Sequence, residues 1–316
     1  MTDESAGSGE GAAFTITGTI VPASSPPLGA EDEDEHAITK TSGTKPKAGR
    51  RTMTVSVPFA GVMLSRRDVL SGGLAVGLGS LSLALPLASF ASCARDKTPT
   101  WPRRTKYEGV DFIELFPNAA DERSPLVVAV HGMGDKPDNW IDTWSTFPGK
   151  AQIVLPRAFT KYGEGWSWFE FRDGMSDAEF GTEVGAAEEK LWKAIAKLAG
   201  NRRLIVTGFS QGGILSFAMA ARHADKIAYA FPVSGSCPGP ILPKDKARAA
   251  PLIAFHGTSD NVLAFKWGQG AVNAFKEQGN EATLKAYPGV AHQMTAEMRA
   301  DLWTEIQKAM PLTAAR

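Results

Sequence analysis

The sequence is poor in the residues that build metal centres and disulfide frameworks. Its 316 residues include two cysteines, Cys93 and Cys237, and five histidines, His36, His131, His223, His256 and His292. Neither set has the clustered spacing of a zinc site, and two cysteines cannot make a disulfide framework, so metal chemistry is not expected. Net charge is lacking too. Lysine plus arginine and aspartate plus glutamate both number 34, which leaves no basic field for nucleic acid and no acidic tail that would define a partner. There is no internal repeat. With 43% hydrophobic and 22% charged residues, the chain has the composition of a soluble globular protein and room for one large domain or two ordinary ones.

The charge that is present is unevenly spread. Residues 31–35 read Glu-Asp-Glu-Asp-Glu and residues 40–51 are basic. Residues 1–62 otherwise run to Gly, Ser, Thr, Ala and Pro with little apolar periodicity. Such a segment buries too little apolar surface to offset its ordering entropy, so it reads as disordered, or as untranslated if synthesis starts at Met53 or Met63. From Met63 the character changes. Ser65-Arg66-Arg67-Asp68-Val69-Leu70 precedes a mildly apolar stretch reaching Ser92, the n-region and h-region of a secretory signal. The paired arginines resemble the twin-arginine export motif, which implies an exported protein, periplasmic or secreted. A transmembrane anchor over 69–92 is the alternative, weakened by Gly72, Gly73, Gly77, Gly79 and Pro86. The stretch ends Phe90-Ala91-Ser92-Cys93, which resembles a lipoprotein processing box. Lipid anchorage at Cys93 and ordinary cleavage near Ala94 both fit. Either leaves Cys237 as the one internal thiol, read as a small buried hydrophobe.

Residues 94–316 are of a size for a single α/β domain and are close to neutral, so steering of a strongly charged substrate is not indicated. Short apolar runs at 110–115, 126–130, 152–155, 203–207, 227–233, 252–255 and 283–286 read as strands, several of them continuously apolar as buried parallel strands are. Between them, 178–198, 212–222, 264–278 and 295–310 read as helices. The clearest, 178–198, carries Phe180, Val184, Leu191, Ile195 and Leu198 at helical spacing and stops at Gly200-Asn201. This alternation predicts an α/β fold, a mostly parallel central sheet with helices on both faces.

Gly208-Phe209-Ser210-Gln211-Gly212 lies between an apolar run and a helical pattern. In a strand–turn–helix the serine sits on a tight turn with its hydroxyl exposed above the sheet, and the flanking glycines prevent clashes. A glycine-rich connection with a buried serine is the plainer reading. A serine hydroxyl needs a base. His292 fits by position, in the loop between the last strand and the last helix. His36 lies outside the domain, His131 reads as part of a turn, His223 as a helix C-terminus and His256 as structural. The acid of a Ser–Asp–His chain order must lie between and follow a strand. Asp260 does, with Asp225 and Asp245 less directly placed; Asp260 could equally cap the next helix. Two backbone donors would hold the oxyanion. These are the amide of Gln211, which follows the nucleophile, and that of Met133 between Gly132 and Gly134. Their side chains read as incidental.

Together, His131-Gly132-Met133-Gly134-Asp135, Gly208-Phe209-Ser210-Gln211-Gly212-Gly213, His256-Gly257-Thr258-Ser259-Asp260-Asn261-Val262 and the Gly289/His292 loop resemble the phospholipase/carboxylesterase family of α/β-hydrolases, which includes acyl-protein thioesterases and small bacterial carboxylesterases. The resemblance covers roughly residues 110–310. It implies a triad of Ser210, Asp260 and His292, an oxyanion hole at Met133 and Gln211, no cofactor, and a small-molecule ester or thioester substrate. Gly165-Trp166-Ser167-Trp168-Phe169 resembles the family segment bordering the acyl groove, making Trp166, Trp168 and Phe169 candidate substrate-binding residues; buried packing of those rings is the other reading. Two alternative functions share the fold, a secreted polyester depolymerase or feruloyl-type esterase, and an inactive scaffold for binding.

Overall fold

The computed structural model describes residues 101–172 and 174–314, together with a short antiparallel ladder in which Thr15–Thr17 pairs with Thr54–Ser56. That ladder belongs to a compact unit of its own. Apart from it, the readings made for residues 1–62 and for the signal at 63–93, Cys93 included, lie outside the described residues.

The second unit is built on an eight-stranded sheet. Its strands are β1 (Arg103–Tyr107), β2 (Val110–Leu115), β3 (Leu126–Val130), β4 (Gln152–Pro156), β7 (Leu204–Phe209), β8 (Ile227–Val233), β9 (Leu252–Gly257) and β10 (Ala282–Tyr287). A separate hairpin joins β5 (Thr160–Tyr162) to β6 (Gly165–Ser167). The sheet order is β10-β9-β8-β7-β3-β4-β2-β1, parallel from β10 through β4 and antiparallel at the β2-β1 edge. The seven strands read from the sequence are all present, with ends shifted by at most two residues. β1 was not among them. Its sequence, Arg-Arg-Thr-Lys-Tyr, alternates between half-buried and exposed positions and carries no apolar run. It is held by its antiparallel ladder to β2 and by polar side chains: Arg103 and Thr105 both bond the carboxylate of Glu114 on β2, each at 2.7 Å, and Gln152 completes that buried group at 2.6 Å. A buried carboxylate is tolerated only when paired in this way.

Side chains of a strand point alternately to the two faces. Leu126, Val128 and Val130 accordingly join one apolar cluster with helices α2 (Asp177–Ala199), α3 (Gln211–Arg222) and α4 (Phe265–Glu277). Val127 and Ala129 join the opposite cluster with α1 (Ile141–Ser145) and α5 (Ala296–Ala309). Continuously apolar strands are thus the sequence signature of a sheet covered on both faces. α2 starts at a capping box, where the Glu179 amide donates to Ser176 Oγ and the Ser176 amide to Glu179 Oε2, and it ends at Gly200 with φ 59°. Both ends follow from local chemistry.

The chain passes from β3 outward to β4, then returns to place β7 on the other side of β3. The carboxyl ends of β3 and β7 therefore open side by side, with Val130 in register with Gly208. Ligand sites of open α/β sheets form at such a reversal of strand order. The loops after β9 and β10 leave the sheet at the same end.

Leu191 is fully buried in the α2 cluster. Leu191→Ala should destabilise the fold by about 2–5 kcal/mol, read as a lower urea midpoint at unchanged m-value. An unmoved midpoint would contradict this packing.

Candidate active site

Ser210 sits between β7 and α3 with φ 57° and ψ −116°, a backbone conformation that non-glycine residues rarely hold. Two contacts impose it. The Ser210 amide donates to the Val233 carbonyl of β8 at 3.0 Å, and α3 begins so close to β3 that a Cβ on Gly212 would run into the Val130 carbonyl. The turn thrusts the hydroxyl away from the sheet, as the sequence motif predicts. Its partner is His292, whose Nε2 lies 2.9 Å from Ser210 Oγ. His292 Nδ1 lies 2.7 Å from Asp260 Oδ2. Since a carboxylate only accepts, Nδ1 carries the proton and Nε2 is free to take one. The Phe209 ring lies against the imidazole, centroids 4.8 Å apart.

Asp260 is buried, and each of its oxygens has its own set of donors. Oδ1 accepts from the amides of Val262 and Leu263 at 3.0 and 2.9 Å, which folds the loop before α4. Oδ2 accepts from His292, and His256 Nε2 lies 3.3 Å away. The capping reading and the triad reading of this aspartate thus describe two oxygens of one group, except that α4 itself starts later, after Ala264. Burial raises the carboxyl's pKa, but donation from His256, His292 and Leu263 outweighs it, and the group stays well below the usual carboxylate range. Neither Asp225 nor Asp245 bonds His292 among the described residues.

The other histidines take different positions. His36 lies outside the described residues. His131 is buried; its Nε2 accepts from the Ala158 amide at 3.2 Å, so Nδ1 donates to the Gly132 carbonyl at 2.7 Å. Burial lowers its pKa, and it serves as a neutral fixture of the loop after β3. His223, at the end of α3, stacks on Trp192 and bonds the buried Glu188 at 2.7 Å. His256 donates from Nε2 to the Leu263 carbonyl at 2.8 Å, and the same nitrogen lies 3.3 Å from Asp260 Oδ2. It is structural, as read, but it also touches the acid. The spacing of four residues between His256 and Asp260 is visible in the sequence; that they would meet is not. Cys237 packs against the apolar core, and burial pushes its thiol up.

Met133 lies in the loop after β3, which presses on Ser210: a Cβ on Gly132 would stand 3.3 Å from Ser210 Cβ. Among the described residues, the backbone amides of Met133 and Gln211 have no hydrogen-bond acceptor, whereas Gly134 and Asp135 on one side and Ser210 on the other are bonded. Gln211 is the first residue of α3, where a helix leaves its N–H groups free. The aromatic segment is placed differently from the groove-lining reading. Trp168 and Phe169 are buried in the core, and the Trp168 indole donates to the His131 carbonyl at 2.8 Å. Trp166 is half-buried, with the Arg157 guanidinium 4.2 Å over its ring. The rings are occupied in packing because the hairpin folds down onto the β3 loop, an effect that short-range sequence pattern does not carry.

The phospholipase/carboxylesterase family model matches residues 114–310 of this chain. An acyl-protein thioesterase 1 of Cryptococcus neoformans is 25% identical over 233 residues, spanning 63% of this chain and 97% of that protein. A bifunctional acetylxylan esterase/xylanase of Neocallimastix patriciarum is 25% identical over 178 residues, 56% of this chain; the chain spans 25% of that relative's length. Among solved structures, esterase PE8 superposes with a TM-score of 0.55 at 21% identity, covering 62% of this chain and 97% of that one, and so shares the fold. A parallel sheet clothed by helices and the family match over most of that sheet lead to one conclusion: the chain belongs to the phospholipase/carboxylesterase family of α/β-hydrolases.

Proposed function

We propose that the protein is a serine hydrolase that cleaves carboxylic esters or thioesters of small or acyl substrates through an acyl-enzyme. The observation that carries this reading is the unbroken run of hydrogen bonds from Asp260 through His292 to Ser210. His292 takes the Ser210 proton as Oγ attacks the carbonyl carbon. The oxyanion settles against the amides of Met133 and Gln211, which have no acceptor among the described residues. His292 passes the proton to the departing alcohol or thiol, and water repeats the sequence to release the acid. Asp260 holds the tautomer and stabilises the imidazolium. Met133 and Tyr162 are exposed, and the Tyr162 ring lies beside Gly134 in the loop after β3. Burial of Trp168 and Phe169 leaves Trp166 the most accessible of the three candidate rings for an acyl or an aromatic group alike, and the intact hydrogen-bonded series speaks against an inactive scaffold.

We further propose that residues 63–93 direct export, leaving a mature domain that starts near residue 94, either cleaved or lipid-anchored at Cys93. The support is the twin-arginine pattern and the apolar stretch of the sequence. Intact mass of the exported chain would separate cleavage from lipidation, and a full-length cytoplasmic product would refute export.

Ser210→Ala should lower kcat on a p-nitrophenyl acyl ester by about 10⁶-fold while leaving the thermal midpoint in place. Retained turnover would sink the assignment. Asp260→Asn should cost about 10⁴-fold in kcat. Its effect on stability has a sign that depends on pH. The folded carboxyl lies below its unfolded value, so its contribution is full above the unfolded pKa of about 3.9 and is lost as pH falls toward the folded one. The gap in thermal midpoint between wild type and Asp260→Asn should hold steady from about pH 8 to 5 and narrow below about pH 4. A gap that widens in acid would mean the carboxylate is not stabilised by its donors.

A further inference from the structure

The two amides read as the oxyanion hole sit on different loops, after β3 and after β7, and their separation decides whether both can reach one oxygen. The side chain of Gln211, which the sequence leaves without a task, bears on that separation. It is buried, and its carboxamide is committed on both ends. Oε1 accepts from the Trp168 amide at 3.0 Å, and Nε2 donates to the Phe169 carbonyl at 3.0 Å and to Ser167 Oγ at 3.1 Å. A backbone N–H on one side and a carbonyl on the other leave the amide a single orientation. Ser167 Oγ donates in turn to the Phe169 carbonyl at 2.9 Å.

The same short segment holds the other loop. The Gly134 amide donates to the Trp166 carbonyl and the Trp166 amide to the Asp135 carbonyl, both at 2.9 Å. The Trp168 indole donates to the His131 carbonyl at 2.8 Å. The approach is close enough that a Cβ at Gly165 would collide with the Gly134 carbonyl. Residues on both sides of Met133 are therefore bonded to the segment 165–169, and so is the side chain of Gln211. Asp135 stiffens the loop from behind, its carboxylate accepting from the Lys136 amide, Asn139 Nδ2 and Trp140 Nε1, each at 2.7 Å.

We propose that the Gln211 carboxamide is a positioning group: through Trp168 and Phe169 it ties the α3 half of the oxyanion hole to the β3 half and fixes the distance between the two amides. The proposal rests on the serine hydrolase reading above. Oxyanion donors act within a narrow range of about 2.7–3.1 Å, and a displacement of about 1 Å costs about 10²-fold in rate. Loosening the tie should therefore weaken the transition state and spare the ground state.

The test pairs Gln211→Met, which keeps the length and loses all three carboxamide bonds, with Trp168→Phe, which keeps a ring and loses the indole donor to His131. Each is compared with wild type for kcat and KM on a p-nitrophenyl ester and for affinity toward an alkyl trifluoromethyl ketone. That ketone adds Ser210 Oγ to its carbonyl carbon, the C=O pair becomes the oxyanion, and the hydroxyl proton passes to His292. Gln211→Met should lose about 10- to 100-fold in kcat and the same factor in ketone affinity, with KM within about twofold; Trp168→Phe should move both in the same direction. Wild-type kcat and ketone affinity in both variants would overturn the proposal. So would a fall in kcat without a matching loss of ketone affinity, which a general loosening of the core would give. If Gln211→Met does not fold, Trp168→Phe alone decides. Failure of a fluorophosphonate to label Ser210 in the wild-type protein would instead remove the hydrolase reading itself.

Discussion

The parallel pairing of β3 with β7 governs what stands at the carboxyl end of the sheet. With Val130 level with Gly208, the chain after β7 has to turn at once and start α3 directly above the end of β3. Only hydrogen fits at 212, because any Cβ there meets the Val130 carbonyl. The close approach has two results. Ser210 is driven into its positive-φ conformation with the hydroxyl outward, and the first free amide of α3 comes to lie beside the loop that carries Met133. The strain at the serine is offset by contacts the rest of the fold makes anyway: the bond to Val233 on β8 and the burial of Ile214, Leu215 and Phe217 along α3.

From that fixed point the remaining groups arrive by topology. β9 and β10 run parallel to β7 and finish at the same edge, so the loops after Gly257 and Tyr287 deliver Asp260 and His292 to the serine although 82 residues of chain separate Ser210 from His292. Asp260 is the element most exposed to physical conflict, since a buried carboxylate must be satisfied or be protonated. Three donors settle that conflict, two backbone amides that shape its loop and the His292 imidazole, with the His256 ring 3.3 Å away. A single residue thereby closes the β9 loop and sets the tautomer of His292.

Much of this was legible in the chain itself. Buried parallel strands announce themselves as continuous apolar runs, and the Gly-x-Ser-x-Gly turn is specific once a strand precedes it and a helix follows. The order of Ser210, Asp260 and His292 along the sequence matched loops that the sheet brings to one end. What escaped was of another kind. β1 is held by its backbone ladder to β2 and by polar bonds to Glu114 rather than by an apolar face, so no hydrophobic pattern marks it. For Trp166, Trp168 and Phe169 the sequence left groove lining and buried packing both open, because whether a ring faces solvent or core depends on how the β5–β6 hairpin folds back, and that is set by bonds to residues more than 30 positions away.

Gln211 shows where the limit of sequence reasoning lies. In a helix-start position a glutamine has no periodic signature, and a polar side chain beside Ser210 looks dispensable when the proposed role falls to its amide. The structure gives its carboxamide partners on three consecutive residues, Ser167, Trp168 and Phe169, none of which is near it in sequence. Leaving any of these groups unpaired in the core would cost about 1–3 kcal/mol, so the segment and the start of α3 are held in one arrangement. That arrangement also pins the loop on which Met133 sits. A site assembled from two loops needs something to fix the gap between them, and here a buried, fully bonded carboxamide bridges that gap.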